Sequence, residues 1–429
     1  MNRIVTIMPR TGLVTRPEKE SAKVYRLYVN SRSPTPGSQT SLREANRARI
    51  VDSLKHHGHL TQVELAGATG LSPATVSNIV KELSASGVLH TEIASRSGRR
   101  AIEVTLARQL GLVAGLHFSS RHLRIAISDI GRTVVAENHV PLALEHRHDS
   151  ELNRAALLLT DMVESVNASM SDILAVGVAL PAPIDARTGM VSTPGLLRGW
   201  EGISVAGALS NRIQRPVFVD NEANLGVLAE YRSGAARGAR GAAYIRVGHS
   251  ISAGLLVDGV VFRGVTGKAG QIGHVTIDEN GAICRCGSRG CLDTLAGGPA
   301  LLELFRDDPG MQRIRDLLLR AESGDASARR VIADAGRHIG IAVASLCNLF
   351  DPERLVIGGE LAQAGEILLA PMRHALERSA LQGLSGFPDV VQAELGDRAE
   401  LLGCLALAID HVGVDADLRA VSISTFATG

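Results

Sequence analysis

The first regular alternation of apolar and polar positions begins at Ser41. In "SLREANRARIVDSLKHHG", Leu42, Ala45, Ile50, Val51 and Leu54 recur at helical spacing, and Gly58 stops the run. "LTQVELAGATGLSPATVSNIVKELSASGVL" follows. Thr61 and Glu64 form a capping box, Gly70 is the turn, and Ser72 with Pro73 opens a second helix. Val76, Ile79, Val80 and Leu83 are that helix's apolar stripe. Val88, Leu89, Ile93, Ile102, Val104 and Leu106 then predict two short strands around a basic tip, "SRSGRR". Helix, turn, helix and basic hairpin together predict a winged helix-turn-helix domain over 41–107.

Beyond Leu106 the periods alternate between two and 3.6. "LVAGLHFSSRHLRIAISDIGRTVVAENHVPL" reads as a three-strand meander, and "ELNRAALLLTDMVESVNASM" as a helix. "ILAVGVALPAPID" is a buried strand, and "PVFVDNEANLGVLAEYRSGAA" is a strand breaking into a helix. "GAAYIRVGHSISAGLLVDGVVFRGV" starts a second meander. The repeat predicts a duplicated α/β body, 108–429, with a cleft between two lobes. Lobe one takes about 108–227 plus a C-terminal helix about 399–429, and lobe two about 228–398. "LARQLG" at 106–111 is the joint between head and body.

Charge sharpens the division. Residues 1–108 hold 16 Lys+Arg against 8 Asp+Glu, a net of +8; the remainder holds 29 against 36, a net of −7. The basic end is therefore the nucleic-acid candidate. Residues 1–40 lack periodicity, end in "VNSRSPTPGSQT" and read as a flexible basic tail. No secretory signal or membrane-length apolar run is visible, and five cysteines, mostly clustered, do not make a secreted disulfide framework. The expected setting is the cytoplasm, with no membrane partner.

On the second helix of the head, Ser72, Thr75, Ser77, Asn78 and Lys81 form a small polar outer face suited to the major groove. Arg96, Arg99 and Arg100 on the wing suit phosphate or a minor groove. In the body, "CRCGSRGC" at 284–291 places three cysteines within eight residues, a pattern open to a metal site, a redox device or idle thiols.

With the winged helix, the segments "ALPAPID", "LLRGWEG", "DNEANLGVLAE", "GKAGQIGH", "CRCGSRGCLDTLAG" and "NLFDPERLVIGGEL" occur in the order of the ROK family of repressors, open reading frames and kinases. The resemblance covers about residues 41 to 415 and implies an actin-like, hexokinase-like two-lobed body. Members with a winged helix resemble sugar-responsive NagC- and Mlc-like repressors; members without one are mostly sugar kinases.

The resemblance also implies where kinase chemistry would lie. At the family's first phosphate turn, Asp-x-Gly-Gly-Thr, this chain has His117, Ser119, Ser120 and Arg121. A Cβ at the glycine positions disfavours φ > 0 and close phosphate approach. The second turn is reduced to "GHSIS" at 248–252, and Glu222 stands where the family has its catalytic aspartate. These changes predict no enzyme activity. The family's sugar contacts fall on Asn221, Glu222, Gln271, His274 and Asp293, with Gly195 where another contact would be. His249 and Arg121, at the former phosphate turns, suit either an anionic ligand or a solvated loop. The resemblance assigns His274, Cys284, Cys286 and Cys291 to a structural zinc ion, a closed shell of one imidazole and three thiolates.

The expectation is a transcriptional regulator that binds operator DNA, probes a carbohydrate or sugar-phosphate effector, and works as a homodimer or homotetramer, since half-sites are short. A ligand-independent or dual activator/repressor with a decayed pocket is the alternative, and a bifunctional sugar kinase a third.

Overall fold

Reciprocal capping sets the head. In the computed structural model, which describes residues 39–96, 99–143, 146–185, 187–193, 195–381, 386–414 and 421–423, the Thr61 amide donates to Glu64 Oε2 at 2.8 Å and the Glu64 amide to Thr61 Oγ1 at 3.2 Å. The elements are α1 (Gln39–His57), β1 (His59–Thr61), α2 (Gln62–Thr69), α3 (Pro73–Ala85), β2 (Leu89–Arg96) and β3 (Arg99–Leu106). Gly70 takes φ 70° at the turn, and Ser72 caps α3 by accepting from the Thr75 amide at 3.1 Å. The strand β1 has no counterpart in the sequence expectation; it pairs with β3 and completes a sheet in the order β1-β3-β2. Three residues are too few to show a period. Residues 1–43 and 44–429 are two compact units, and of the first the structure describes only the opening of α1. The expected tail lies almost wholly outside the described residues.

The body is built twice on one plan. The first copy is β4 (Leu112–Phe118), β5 (His122–Asp129), β6 (Val134–Pro141), α4 (His148–Ser165), β7 (Ile173–Leu180), α5 (Val205–Ile213), β8 (Val217–Asn221) and α6 (Glu222–Ser233). The second is β9 (Gly241–Val247), β10 (Ile251–Val257), β11 (Val260–Val261), the helices α7 (Asp293–Ala296), α8 (Gly298–Glu303), α9 (Ile314–Glu322) and α10 (Ala326–Phe350), then β12 (Arg354–Gly358), α11 (Glu366–Ser379), β13 (Asp389–Gln392) and α12 (Ala399–His411). The sheets run β6-β5-β4-β7-β8 and β11-β10-β9-β12-β13, each an antiparallel meander followed by two parallel strands.

Two of the expected boundaries move. The lobe border near 227 falls inside α6, which is continuous and packs on β9 and β10 of the second sheet. The C-terminal helix ends at His411, where the chain turns extended into β14 (Val412–Val414), paired with β15 (Val421–Ile423).

Glycine sets the depth of the central layer. A Cβ on Gly177 of β7 would lie 2.0 Å from the Cys404 carbonyl oxygen of α12. On Gly254 of β10 it would lie 2.0 Å from the Ala223 carbonyl oxygen of α6. α12 thus beds into the first sheet and α6 into the second, and the two helices pack on each other. Gly177→Ala forces α12 off its sheet, because backbone cannot rotate away as a side chain does. The expected loss is about 3 kcal/mol, the upper part of the overpacking range, read by urea denaturation; a loss below 0.5 kcal/mol would show that the layers slide freely.

The apolar core continues from head to body. Ile50, Leu54, Val76, Val80 and Leu106 belong to one buried cluster with Val113, Ala126, Ile130, Leu401, Leu405 and Ile409. The joint expected at 106–111 is a single 3-10 turn, Arg108–Leu110, flanked by buried Leu106 and Leu112.

Candidate ligand pocket, metal cluster and DNA-binding face

At the β8–α6 junction the chain leaves an apolar strand on two polar residues. Asn221 caps α6: its Oδ1 accepts from the Ala223 amide at 2.9 Å, and its Nδ2 donates to the Ala182 carbonyl at 3.1 Å. Glu222 is 1% exposed. Its Oε1 meets Arg246 Nη1 at 3.1 Å and its Oε2 meets His117 Nε2 at 3.0 Å. Arg246 Nε in turn donates to Glu400 Oε1 at 3.1 Å, which also accepts from the Tyr244 hydroxyl at 3.0 Å. Burial pushes the Glu222 carboxyl up, but Arg246 and the His117 hydrogen bond pull harder, and it ends below its ordinary value. The carboxylate is ionised, buried and already paired.

Above this knot lies a cavity of ≈ 430 Å³, lined by Ser120, His146, Pro181, Gly195, Leu196, Leu197, Arg198, Glu222, Arg246, His249, Ser250 and Arg285. A smaller hollow shares Pro181, Leu196, Glu222, Ser250 and Arg285 with it and adds Asn221, Gln271 and His274. Four of the five expected ligand residues therefore meet around one space. Asp293 sits behind it: Oδ1 accepts from the Ile251 amide at 2.8 Å, and Oδ2 lies 3.6 Å from Arg285 Nη2. Burial raises the Asp293 carboxyl to about 6, offset in part by the Ile251 amide.

The position of the first phosphate turn is filled by protein. His117 is 5% exposed and bonded to Glu222, and the Ser119 hydroxyl is bonded to His122 Nδ1 at 2.7 Å. Neither Ser119 nor Ser120 has positive φ. Arg246, Glu400 and Tyr244 are absent from the sequence expectation, and His117 was expected at the phosphate turn but not as a partner of Glu222. Their signal was a charged or polar residue inside an apolar run, as in "GAAYIRV", "AELLGCLALAI" and "LVAGLHF".

His274, Cys284, Cys286 and Cys291 come together, with donor atoms all within 4.8 Å of one another. Cys284 Sγ lies 3.6 Å from His274 Nδ1, and Cys286 Sγ lies 3.7 Å from Cys291 Sγ. A tetrahedral shell with Zn–S bonds of ~2.3 Å has S···S edges of about 3.8 Å, so the donor set fits such an ion. Gly290 brings the loop close: a Cβ there would lie 1.5 Å from the Asp278 carbonyl oxygen. Burial and the neighbouring thiols push the Cys291 thiol up to about 12, the cost of gathering three sulfurs that a bound cation offsets.

On the head, Asn78 and Lys81 are exposed on α3 and make no hydrogen bond or ion pair among the described residues. Ser72 and Thr75 are partly occupied, since their hydroxyls bond each other at 2.8 Å, and Ser77 is half-buried. The wing strands pair Arg96 with Arg99 and Ser95 with Arg100; the side chains of Arg96, Arg99 and Arg100 lie outside the described residues.

A polar seam joins head to body. Arg132 Nη1 donates to the His56 carbonyl at 2.7 Å, and its Nη2 bonds the Ser233 hydroxyl at the end of α6. Arg232 Nη2 donates to both oxygens of Asp410, at 2.6 and 2.7 Å. Burial lowers the Lys55 pKa, opposed by the carboxylates of Asp52 and Asp410.

Comparison with known proteins places this geometry. The profile of the ROK family matches residues 113–411. The chain belongs to the ROK family. A winged helix-turn-helix DNA-binding profile matches residues 43–89, ahead of the ROK body. Among relatives, a xylose repressor of Caldicellulosiruptor bescii is 26% identical over 395 residues, 88% of this chain and 98% of that protein. The DNA-binding transcriptional dual regulator NagC of Escherichia coli K12 is 28% identical over 394 residues, 87% and 96% of the two chains. A crystal structure of a ROK family transcriptional regulator, a homologue of the Escherichia coli Mlc protein, superposes with a TM-score of 0.69 at 23% identity, over 86% of this chain and 96% of that one. The ROK body and winged head expected from the sequence are thus both present.

Proposed function

We propose that this chain is a DNA-binding transcriptional regulator, a repressor of carbohydrate-related genes that responds to a sugar or sugar phosphate. The observation that carries the reading is the union of an exposed α3 face with a ROK body whose would-be base, Glu222, is locked by Arg246 and His117. A relative named as a xylose repressor supports it, and one named as a DNA-binding transcriptional dual regulator supports the regulator part of it. A base tied into a buried ion pair cannot approach a sugar hydroxyl without breaking that pair, which opposes the kinase alternative.

The effector would sit in the ≈ 430 Å³ cavity and the hollow beside it, near Asn221, Glu222, Gln271 and His274. The four His and Cys donors would hold a structural zinc ion. Half-site geometry calls for a homodimer or homotetramer on the operator, in the cytoplasm where DNA is met. Among the described residues no helix is long and apolar enough to cross a membrane. Control of DNA binding requires the effector to favour one head arrangement. α6 and α12 are fitted to carry that bias. Each has a member of the pocket knot in its first turn, Glu222 and Glu400, and a seam residue in its last, Arg232 and Asp410.

The test is gel retardation on a duplex selected from a random library. Asn78→Ala is expected to raise the Kd by about 5- to 150-fold and relax one base position, the effect of losing a base-edge contact. Lys81→Ala is expected to weaken all sequences alike and lower the salt slope by about 1. If the wild-type chain selects no sequence, the regulator reading fails. If it selects one and no carbohydrate releases it, the ligand-independent alternative replaces the repressor; the pairing of Glu222 within the protein favours that second reading.

A further inference from the structure

The cavity's lining is cationic. It holds Arg198, Arg246 and Arg285 against one carboxylate, Glu222. These are not equivalent. Arg246 is 12% exposed and neutralised between Glu222 and Glu400, so it belongs to the floor. Arg285 is held only loosely, at 3.6 Å from Asp293. Arg198 is exposed at the rim, and among the described residues it has neither hydrogen bond nor ion pair. Arg121, half-buried and next to the lining residue Ser120, is hydrogen-bonded through its backbone, but its guanidinium makes no hydrogen bond or ion pair among the described residues, and Glu360 only feels its charge.

These groups converge on one place. His249 lines the cavity and makes no side-chain hydrogen bond among the described residues. Burial pushes its pKa down to about 4, and Arg285, Arg121 and Arg246 push the same way while Glu222 opposes them. Three guanidinium groups near one imidazole, two of them without a firm counter-ion, leave a concentration of positive charge around an open space. Such a site costs stability through self-repulsion unless an anion fills it. A neutral sugar offers nothing to relieve it. Guanidinium forks match phosphate and carboxylate oxygens, and the charge-assisted bonds are the strong ones.

Resting on the regulator reading above, we propose that the effector is an anion-bearing carbohydrate whose phosphate or carboxylate lies among Arg198, Arg285, His249 and Arg121, with its sugar ring toward Asn221 and Gln271. Side-chain cations then do the work that glycine-rich amides cannot do in this chain.

A direct readout exists. Trp200 is the only tryptophan, fully buried, with its Nε1–H donating to the His146 carbonyl at 3.0 Å, and His146 lines the cavity. Titrations of the full chain, followed by tryptophan fluorescence and by calorimetry, use hexose and pentose phosphates, the matching uronates, the neutral parents and inorganic phosphate. At least one anionic sugar is expected to bind at least about tenfold tighter than its neutral parent. A phosphate ester as best ligand, competed by inorganic phosphate, identifies a sugar phosphate; a uronate as best ligand identifies a sugar acid. Arg198→Ala and Arg121→Ala, whose guanidinium groups have no hydrogen bond or ion pair among the described residues, each weaken that ligand by about tenfold and leave the neutral parent unchanged. Neutral parents binding as tightly, no anionic sugar binding, or an unchanged Kd in both variants overturns the proposal. The titration decides it with or without DNA, whereas a wild-type chain that selects no operator overturns the regulator reading alone.

Discussion

Arg246→Ala is expected to destabilise the chain by ~3–5 kcal/mol, the range for breaking a buried pair from one side. The cation bridges two carboxylates that are 1% and 3% exposed. Removing it leaves Glu222 and Glu400 buried without their shared cation, with His117 and the Tyr244 hydroxyl as remaining partners. The pH dependence carries the diagnosis. In the wild type the folded-state pKa of Glu222 is depressed. Its contribution is therefore full above the carboxyl's unfolded value and is lost as pH falls through the folded one. In the variant Glu222 loses the pull of Arg246 while burial still raises its carboxyl, so it takes up a proton on folding, and the deficit shrinks from pH 7 toward pH 5. Arg246→Lys restores charge without the two-pronged geometry and should recover part of the loss. Urea denaturation at pH 5 and pH 7 measures all of this. A deficit under 1 kcal/mol, or one equal at both pH values, would mean that water reaches the knot.

The same knot shows what a sequence can and cannot announce. The head was legible because its instructions are local: the Thr61–Glu64 box, Gly70 and the Ser72–Pro73 start all act within four residues, and each is found in place. The cysteine trio was legible as a local pattern, but its reading as a metal site with His274 came from the family resemblance; the structure brings the four donors together. The meanders followed from alternation, and the duplicated sheet order follows from repeating them. Glu222 was found as a position, but its partners were not. His117, Arg246 and Glu400 are separated from it or from each other by more than 100 residues, and no local period joins them. Asp293 was expected in the pocket and instead accepts from the Ile251 amide, forty-two residues away in sequence, a pairing no local pattern announces. The lobe border near 227 falls inside α6 because that helix reads the same from its sequence whichever sheet it lies on; Gly254, which receives it at Ala223, is 31 residues away.

Cys291→Ser is expected to lower zinc affinity by well over the ~10–100-fold typical of losing an outer-shell partner, because it removes a donor from a shell of four. The purified wild-type chain should carry one zinc per chain by elemental analysis, and the variant close to none. Cys347→Ser is the control, since Cys347 lies on α10 outside the cluster and should leave the metal content unchanged. The consequence extends beyond the loop. His274 turns Nδ1 toward Cys284 and also lines the hollow beside the cavity. A metal held by His274 with the three cysteines would fix the ring of a residue that lines that hollow. Arg285, between Cys284 and Cys286, lines both spaces. Holding the cysteines therefore holds a cation of the anion-binding group in place. Stripping zinc with a chelator should weaken effector binding as well as loop stability, and zinc readdition should restore both. A metal-free chain with unchanged ligand affinity would reduce the cluster to a local staple. Retention of zinc by Cys291→Ser would remove that thiolate from the shell altogether.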